Sequence, residues 1–395
     1  MFKLRDYQQE AIEKLVWSKK LDGADICVLP TGAGKSLVIA ELAKRANTDV
    51  LIIQPTKEIL EQNVDKLSNY VDKSLIGIYS ASVGRKDINT YTFATIQSIY
   101  NKPQFFNHFK YIIIDECHLV NPKDNNSMFM EFLKAIGDPK LVGLTATPYR
   151  LDTTYIRLDN GYFLARTGTK LINRVKGNFW KRIMFNINIS DLIEAGYLTG
   201  LKYIDHTILN HSEIPINKSQ SDFNLDKYAK KLQEKEELIL KSVFFAEELC
   251  NHVLVFCSTV EQATALNEQV EGSAVVTAKT KKRDREKIIK DFRSGQIKTV
   301  FNVGVLTTGF DFPELDGIVL LRPTKSIALY YQMLGRGVRI AEGKKHCKVI
   351  DLTGTVKYLG KVETIKLVKR EMWELESETG SWHNKALYQM ELTPK

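Results

Sequence analysis

The chain has 395 residues, with 56 lysines and arginines against 47 acidic residues and a formal net charge of +9; at roughly 150 residues per domain, that length points to two or three domains rather than one core. Its 44% apolar and 26% charged content is that of a globular protein. No stretch nears the ~18 apolar residues that cross a bilayer, and MFKLRDYQQE lacks the apolar core of a signal peptide, so a cytoplasmic chain without membrane contact is expected. The five cysteines, Cys27, Cys117, Cys250, Cys257 and Cys347, show no C-x-x-C spacing, which argues against a zinc ribbon or an iron–sulfur cluster and for buried thiols. The basic balance favours a polyanionic partner.

In chain order, the apolar run Asp25–Leu29 leads into LPTGAGKS at 29–36, and the helical pattern of Leu37–Ala43 follows. A glycine loop between strand and helix turns its backbone amides toward phosphate oxygens. In the segment Thr31, Gly32, Ala33, Gly34, Lys35, Ser36, the glycines allow close approach, Lys35 supplies a point charge for the β- and γ-phosphates, and Ser36 is a magnesium ligand. Strands are expected at Val50–Gln54, Tyr91–Thr95, Tyr111–Asp115 and Leu141–Thr145, alternating with helical stretches as parallel α/β units do. The third of these ends in Asp115 and Glu116. At the carboxyl end of a buried parallel strand, Asp115 suits an outer ligand of magnesium and Glu116 the general base that activates a water. ATP and Mg2+ are therefore the expected cofactors.

Residues 174–182, RVKGNFWKR, interleave bases with Phe179 and Trp180, a pattern shared by strand-stacking elements and, more commonly, by core aromatics. Residues 222–249 read as one long charged helix. A second α/β series follows, with strands at Val253–Cys257, Ala274–Thr277, Thr299–Val303, Gly317–Leu321 and Lys348–Leu352 but no phosphate loop. Two such sheets, one with the loop, imply a nucleotide gripped in a cleft between domains. Gln332, Arg336 and Arg339, in YQMLGRGVR, are spaced as if on a helix, so that both guanidinium groups reach one cleft as arginine fingers while Gln332 holds water or phosphate. The tail 356–395, with seven Lys/Arg, six Glu, Trp373 and Trp382, reads as a packed appendage.

These motifs together resemble a superfamily 2 helicase, over most of residues 4 to 340. The loop has Leu29 where the strict phosphate-loop pattern has glycine, as in helicase-type loops. The segments TATPYRL (145–151), SDLIEAGYLTGL (190–201) and VLTTGFDFP (305–313) are similar to the RadD-like bacterial group and to phage branch-migration helicases. The resemblance implies that Gln8 reads the adenine edge with Arg5 stacking nearby, that Asp311 meets the ribose, and that Thr145 and Thr147 couple hydrolysis to domain movement. It also places Thr56, Lys57, Thr95, Gln97, Ser258, Thr307 and Thr308 on a nucleic-acid strand. Hydroxyl, amide and ammonium groups of that kind hold a phosphate backbone without reading its bases. Asp-Glu-Cys-His at 115–118 resembles DNA enzymes more than RNA helicases.

The expected architecture is α/β: two tandem RecA-like domains with parallel sheets, at 1–185 and 203–355, joined by a linker at 186–202 and followed by an appendage at 356–395. The expected function is an ATP-dependent DNA helicase or translocase acting on a single strand, fork or branched junction. A double-strand translocase without unwinding and an RNA helicase are the alternatives. Protein partners are not legible.

Overall fold

The computed structural model describes residues 3–18, 23–137, 139–157, 163–174, 179–218, 222–306 and 311–382. It divides into two compact units, residues 1–150 with 171–187 and residues 151–170 with 188–395.

The first unit is built on an eight-stranded sheet. Its strands are β1 (Ala24–Val28), β2 (Val50–Gln54), β3 (Ile76–Ser80), β4 (Arg85–Lys86), β5 (Tyr91–Thr95), β6 (Tyr111–Asp115) and β7 (Lys140–Thr145). After β8 (Tyr149–Arg157) and β9 (Phe163–Leu171), which form a separate two-stranded sheet, β10 (Trp180–Asn186) joins it, in the order β10-β1-β7-β6-β2-β5-β3-β4. All its pairings are parallel except β3 with the short β4. Every residue of β1, β2 and β6 is buried, which is why they read as unbroken apolar runs rather than as alternation.

Trp180 belongs to this core. It is fully buried, and a Cβ added to Gly143 on β7 would lie 2.6 Å from its Cη2 atom. The Phe179–Trp180 pair therefore meets edge to face, with ring centroids 5.2 Å apart, at the margin of a sheet. Residues 175–178 of that motif, Lys176 among them, lie outside the described residues. Buried Asp25 on β1 pins its two neighbours electrostatically, accepting from Lys140 Nζ on β7 at 2.5 Å and Arg182 Nε on β10 at 2.7 Å.

The second unit has a six-stranded, wholly parallel sheet of β11 (Gly200–Asp205), β12 (Val253–Cys257), β13 (Ser273–Val276), β14 (Thr299–Asn302), β15 (Gly317–Leu321) and β16 (His346–Asp351), in the order β11-β16-β15-β12-β14-β13. An antiparallel sheet of β17 (Lys366–Lys369), β18 (Trp373–Ser377) and β19 (Gly380–Trp382) follows.

Three expectations change here. The segment 186–202 is not a free linker: from residue 188 it belongs to the second unit, where helix Ile189–Glu194 has a two-way capping box and β11 pairs along its length with β16. The stretch 222–249 is not one helix. Helices Leu225–Leu232 and Glu236–Leu249 meet at a 3₁₀ turn, Gln233–Lys235, and Tyr228, Leu232, Ile239, Val243 and Ala246 pack into the core. The turn lets both amphipathic faces reach one sheet. The tail is tied to this unit: Tyr330 donates its hydroxyl to Gly360 O, and Leu367 N donates to Asn188 Oδ1, each at 2.9 Å. Residues 383–395 lie outside the described part.

All five cysteines are buried and free. Among the described residues, no helix is long and apolar enough to cross a membrane.

Candidate nucleotide site and nucleic-acid contacts

The phosphate loop leaves β1 with Leu29 N donating to Thr145 O at 3.0 Å, and Ala33 N closing a turn on Pro30 O at 3.1 Å. Gly34 takes φ 77° immediately before helix Lys35–Arg45, a left-handed conformation that suits glycine. No side chain caps that helix. Its first N–H groups are thus left to an anion. A Cβ on Gly34 would fall 2.5 Å from Gln8 Nε2, so the loop is packed from behind. Tyr7 Oη and Gln8 Nε2 both donate to Ala33 O, at 2.8 and 2.9 Å, and Gln8 Oε1 accepts from Arg5 N at 3.0 Å. The expected adenine reader is therefore engaged in shaping the loop. Tyr7 was missed as a site residue, since an aromatic in an amphipathic stretch carries no signal of a backbone partner.

Across the loop stand the carboxylates. Lys35 donates to Glu116 Oε1, and its ammonium lies 3.5 Å from Asp115 Oδ1. Burial pulls the Lys35 pKa down, but Glu116 and Asp115 raise it by more, so the lysine is held charged. Glu116 is a carboxylate too: burial raises its pKa, and Lys35 and His118 together outweigh burial and hold it well below the usual range. For Asp115, burial outweighs Lys35 and the net direction is upward. Two adjacent carboxyls share one ammonium, and the one closer to it keeps its charge. Glu116 also adopts φ 49°, ψ 49°. That region is strained for a residue with a long side chain, and such strain concentrates at functional sites.

The box is wired onward. Glu116 Oε2 is buried without a hydrogen-bond partner, 3.3 Å from His118 Nδ1. The same nitrogen lies 2.9 Å from Thr145 Oγ1 and 3.4 Å from Thr147 Oγ1, both residues being fully buried. Lys35, Glu116, His118, Thr145 and Thr147 thus form one continuous polar chain, in which His118 is a member that the sequence reading passed over.

In the second unit, helix Ile327–Leu334 contains Gln332 and ends two residues before Arg336. Arg336 and Arg339 therefore do not share a helical face. Arg336, 6% exposed, turns back and donates from Nε to Gln332 O at 3.4 Å. Arg339 pairs with Asp311, Nη1 to Oδ1 at 2.9 Å, so the proposed ribose ligand is engaged by one of the proposed fingers. Lys344, also overlooked, donates to Arg339 O and Pro313 O at 2.8 Å each, fastening the two segments together; burial lowers its pKa to about 8.

The candidate strand contacts differ among themselves. Thr56 caps helix Lys57–Ser68, accepting from Ile59 N at 3.4 Å, while Lys57 donates to Ser82 O at 3.0 Å and Gln97 is exposed. Thr95 is buried in a hydroxyl cluster, 3.2 Å from Ser80 Oγ and 2.9 Å from Ser98 Oγ. Ser258, only 5% exposed, donates its hydroxyl to Leu321 O at 2.9 Å and so joins strand ends. Thr307 and Thr308 lie outside the described residues. The run Lys279, Lys281, Lys282, Arg283 after β13 is exposed and was legible as a basic cluster, but it lay outside the motifs.

Residues 1–150 match the family model described as Type III restriction enzyme, res subunit, and residues 234–341 match Helicase conserved C-terminal domain. The chain is 27% identical over 378 residues to "Putative ATP-dependent helicase IRC3" of Saccharomyces cerevisiae, covering 89% of the chain and 51% of that protein. It is 26% identical over 379 residues to DNA 3'-5' translocase XPB2 of Sulfurisphaera tokodaii, covering 90% and 83%. A solved structure of the ATP-dependent Type ISP restriction-modification enzyme LlaBIII bound to DNA shares the fold, with TM-score 0.63, 18% identity, and coverage of 88% of the chain and 28% of that enzyme. The chain spans about half the length of the yeast relative. It carries two tandem RecA-like domains and the domain pair of a superfamily 2 helicase ATPase.

Proposed function

We propose that the chain is an ATP-driven DNA motor, coupling hydrolysis to movement along a strand and thereby opening forked duplex or shifting a branch point. The observation that carries this reading is the buried chain from Lys35 through Glu116 and His118 to Thr145 and Thr147, because it ties a phosphate-loop lysine to a base and then to a motif with no phosphate chemistry of its own. ATP and Mg2+ fit the residues present. The loop at Gly34 has no room for a Cβ, and Ser36 with Asp115 offers the hard oxygen donors that magnesium prefers. Bound there, magnesium would neutralise charge developing on the phosphates. Lys35 would then exchange Glu116 for a phosphate oxygen, and Glu116 would be released to orient and deprotonate a water.

Gln332, Arg336 and Arg339 remain assigned to the same reaction by their likeness to the helicase motif and not by a shared helical face, with Arg5, Gln8 and Asp311 around the nucleoside. The XPB2 relative, named for 3′→5′ translocation on DNA, supports DNA as the polymer and that polarity. RadD-like repair or branch migration is the finer form of this reading. The restriction-enzyme likenesses favour a second form, translocation along duplex DNA without strand separation. Strand-displacement assays on forks and four-way junctions, beside a triplex-displacement assay on duplex, separate the two.

The contacts at Thr56, Lys57, Thr95 and Gln97 suit phosphates and sugars and include no bidentate reader of a base edge. Stimulation of ATP turnover should therefore be independent of base sequence and weakened by salt. If about five phosphates are neutralised, log affinity for a single strand falls with log salt at a slope near −3.5, at roughly −0.7 per contact, and at a shallower slope where hydroxyl and amide groups stand in for lysines. Titrating fluorescent DNA and RNA strands of different sequence at several salt concentrations tests this. Flat salt dependence, or strong preference for one base sequence, would replace the motor with a site-specific binder, and exclusive stimulation by RNA would replace the polymer.

A further inference from the structure

Helix Lys57–Ser68 buries Leu60, Asn63 and Leu67 along one face. Leucine explains itself there. Asn63 does not: it is 1% exposed, its Oδ1 has no hydrogen-bond partner, and an unsatisfied buried carbonyl of this kind costs about 1–3 kcal/mol. Its side chain donates from Nδ2 to Asp115 Oδ2, at 3.4 Å. The other carboxylate oxygen, Oδ1, accepts from Glu116 N at 2.9 Å and faces Lys35 at 3.5 Å. Two anchors on the two oxygens fix the plane of the carboxylate, and only one of them comes from outside the phosphate site. Gln54 adds to the pattern. It ends β2 one residue beyond the Ile53↔Ile114 pairing, level with Asp115, and it is fully buried with neither amide atom bonded. Two carboxamides are thus kept at a cost beside one aspartate.

The same helix has a second role at its start. Thr56 caps it and Lys57 reaches from its first turn to Ser82 O, so the proposed strand contacts sit on its N-terminal end. At 1.5 Å per residue, Asn63 lies about 9 Å further along a rigid rod. A displacement of the helix by a bound strand carries Asn63 with it.

We propose that Asn63 is a positioning residue through which strand engagement at Thr56 and Lys57 sets the orientation of the Asp115 carboxylate, making it the sensor by which the nucleotide site detects nucleic acid. This rests on the motor reading above. It adds a specific route, internal to the first unit, for the stimulation that such a motor requires. A polar side chain acts here by rotating a carboxylate rather than by touching nucleotide or strand.

The test compares the full chain with its Asn63→Leu and Asn63→Ser variants. Melting temperature, single-strand affinity by anisotropy, Mg2+ dependence of fluorescent ATP-analogue binding, and turnover with and without saturating strand are measured on each. Expected for Asn63→Leu are strand affinity within about twofold of the parent, a higher Mg2+ midpoint for nucleotide binding, and a fall of about tenfold or more in the ratio of stimulated to unstimulated turnover, the effect of losing one hydrogen bond to a charged group. A folded variant with parental Mg2+ dependence and parental ratio would overturn the proposal. So would a loss of strand affinity in step with the ratio, since Asn63 would then act on binding itself. If Asn63→Leu does not fold, Asn63→Ser, which keeps a small polar group, is read by the same criteria. A parent that no strand stimulates sinks the motor reading instead, an outcome distinct from a stimulated parent with equally stimulated variants.

Discussion

The two parallel sheets treat the polar groups at their strand ends in opposite ways. In the first unit, Lys35, Asp115, Glu116 and His118 are bonded largely to one another, at the mouth of an uncapped helix. In the second, several polar groups are tied into the scaffold, although Arg339 and Asp311 pair with each other. Asp222 accepts from Thr324 Oγ1 and Lys325 N, Asp351 from Thr353 and Val356, and Arg336 leans on the carbonyl of Gln332. Charges bonded mainly to one another can be redistributed when a ligand arrives, whereas charges bonded to backbone move only with the fold.

The largest expected effects break this contrast at its centre. Lys35→Ala should abolish tight nucleotide binding, while Glu116→Gln should bind nucleotide and lower turnover by about 10³ or more, in the range for a lost general base. Arg336→Ala should cost on the order of 10³ in turnover, by analogy with arginine fingers, with nucleotide affinity of the first unit retained. Equilibrium nucleotide binding separates Lys35→Ala from the other two, and steady-state turnover measures the loss in each. Glu116→Gln turning over at the parental rate would remove Glu116 from the base role, and an undiminished Arg336→Ala would mean the fingers are misassigned.

What was legible in the sequence follows the same divide. Strands β2, β5, β6, β12 and β15 stand at the expected residues: all but β5 because a strand buried on both faces is written as an apolar run, and β5 because YTFAT is rich in β-branched and aromatic residues. The phosphate loop and the Asp115-Glu116 pair are legible for a related reason: their chemistry is local in sequence. Partners distant in sequence left no trace. In YQMLGRGVR the glycines at 335 and 337 hint at the helix stop after Leu334, but nothing there reveals that Arg339 will meet Asp311, and nothing in DYQQ reveals Ala33 O, 25 residues from Gln8, as its acceptor. Edge strands such as β10 were missed because half-buried alternation of bases and aromatics fits several structures equally well.

Next in size is Trp180, where the basic-aromatic motif turned out to be core. Trp180→Ala should destabilise the first unit by about 3–5 kcal/mol, the usual cost of emptying a large aromatic site. Gly143 has no side chain with which to fill the space, so little relaxation is expected. Denaturant unfolding should show the loss, and strand separation and stimulated ATP turnover should decline together in proportion to the folded fraction. A variant of parental stability with selectively impaired unwinding would return Trp180 to the strand junction.

The smallest expected effect sharpens the contrast from the side of the second unit. His211 sits against the rings of Phe223 and Tyr358, with centroids 4.9 and 4.4 Å away, its Nδ1 is unbonded, and Thr355 Oγ1 lies 3.4 Å from Nε2. Burial, aided by the nearby Lys325 ammonium, lowers its pKa from 6.5 to about 4. The folded state therefore keeps this imidazole neutral where the unfolded chain protonates it. Stability from this group is complete above pH 6.5, declines as pH falls, and is gone below about 4, with linkage setting an upper bound of about 3 kcal/mol. Replacing the ring in His211→Gln removes the titration, so the difference in unfolding free energy between parent and variant should shrink steadily from pH 7 to pH 4. Denaturant titrations at half-unit pH intervals would reveal it. Parallel curves across that interval would mean that His211 is solvated enough to titrate normally, and that the second unit is less firmly bonded into its scaffold than its hydrogen bonds imply.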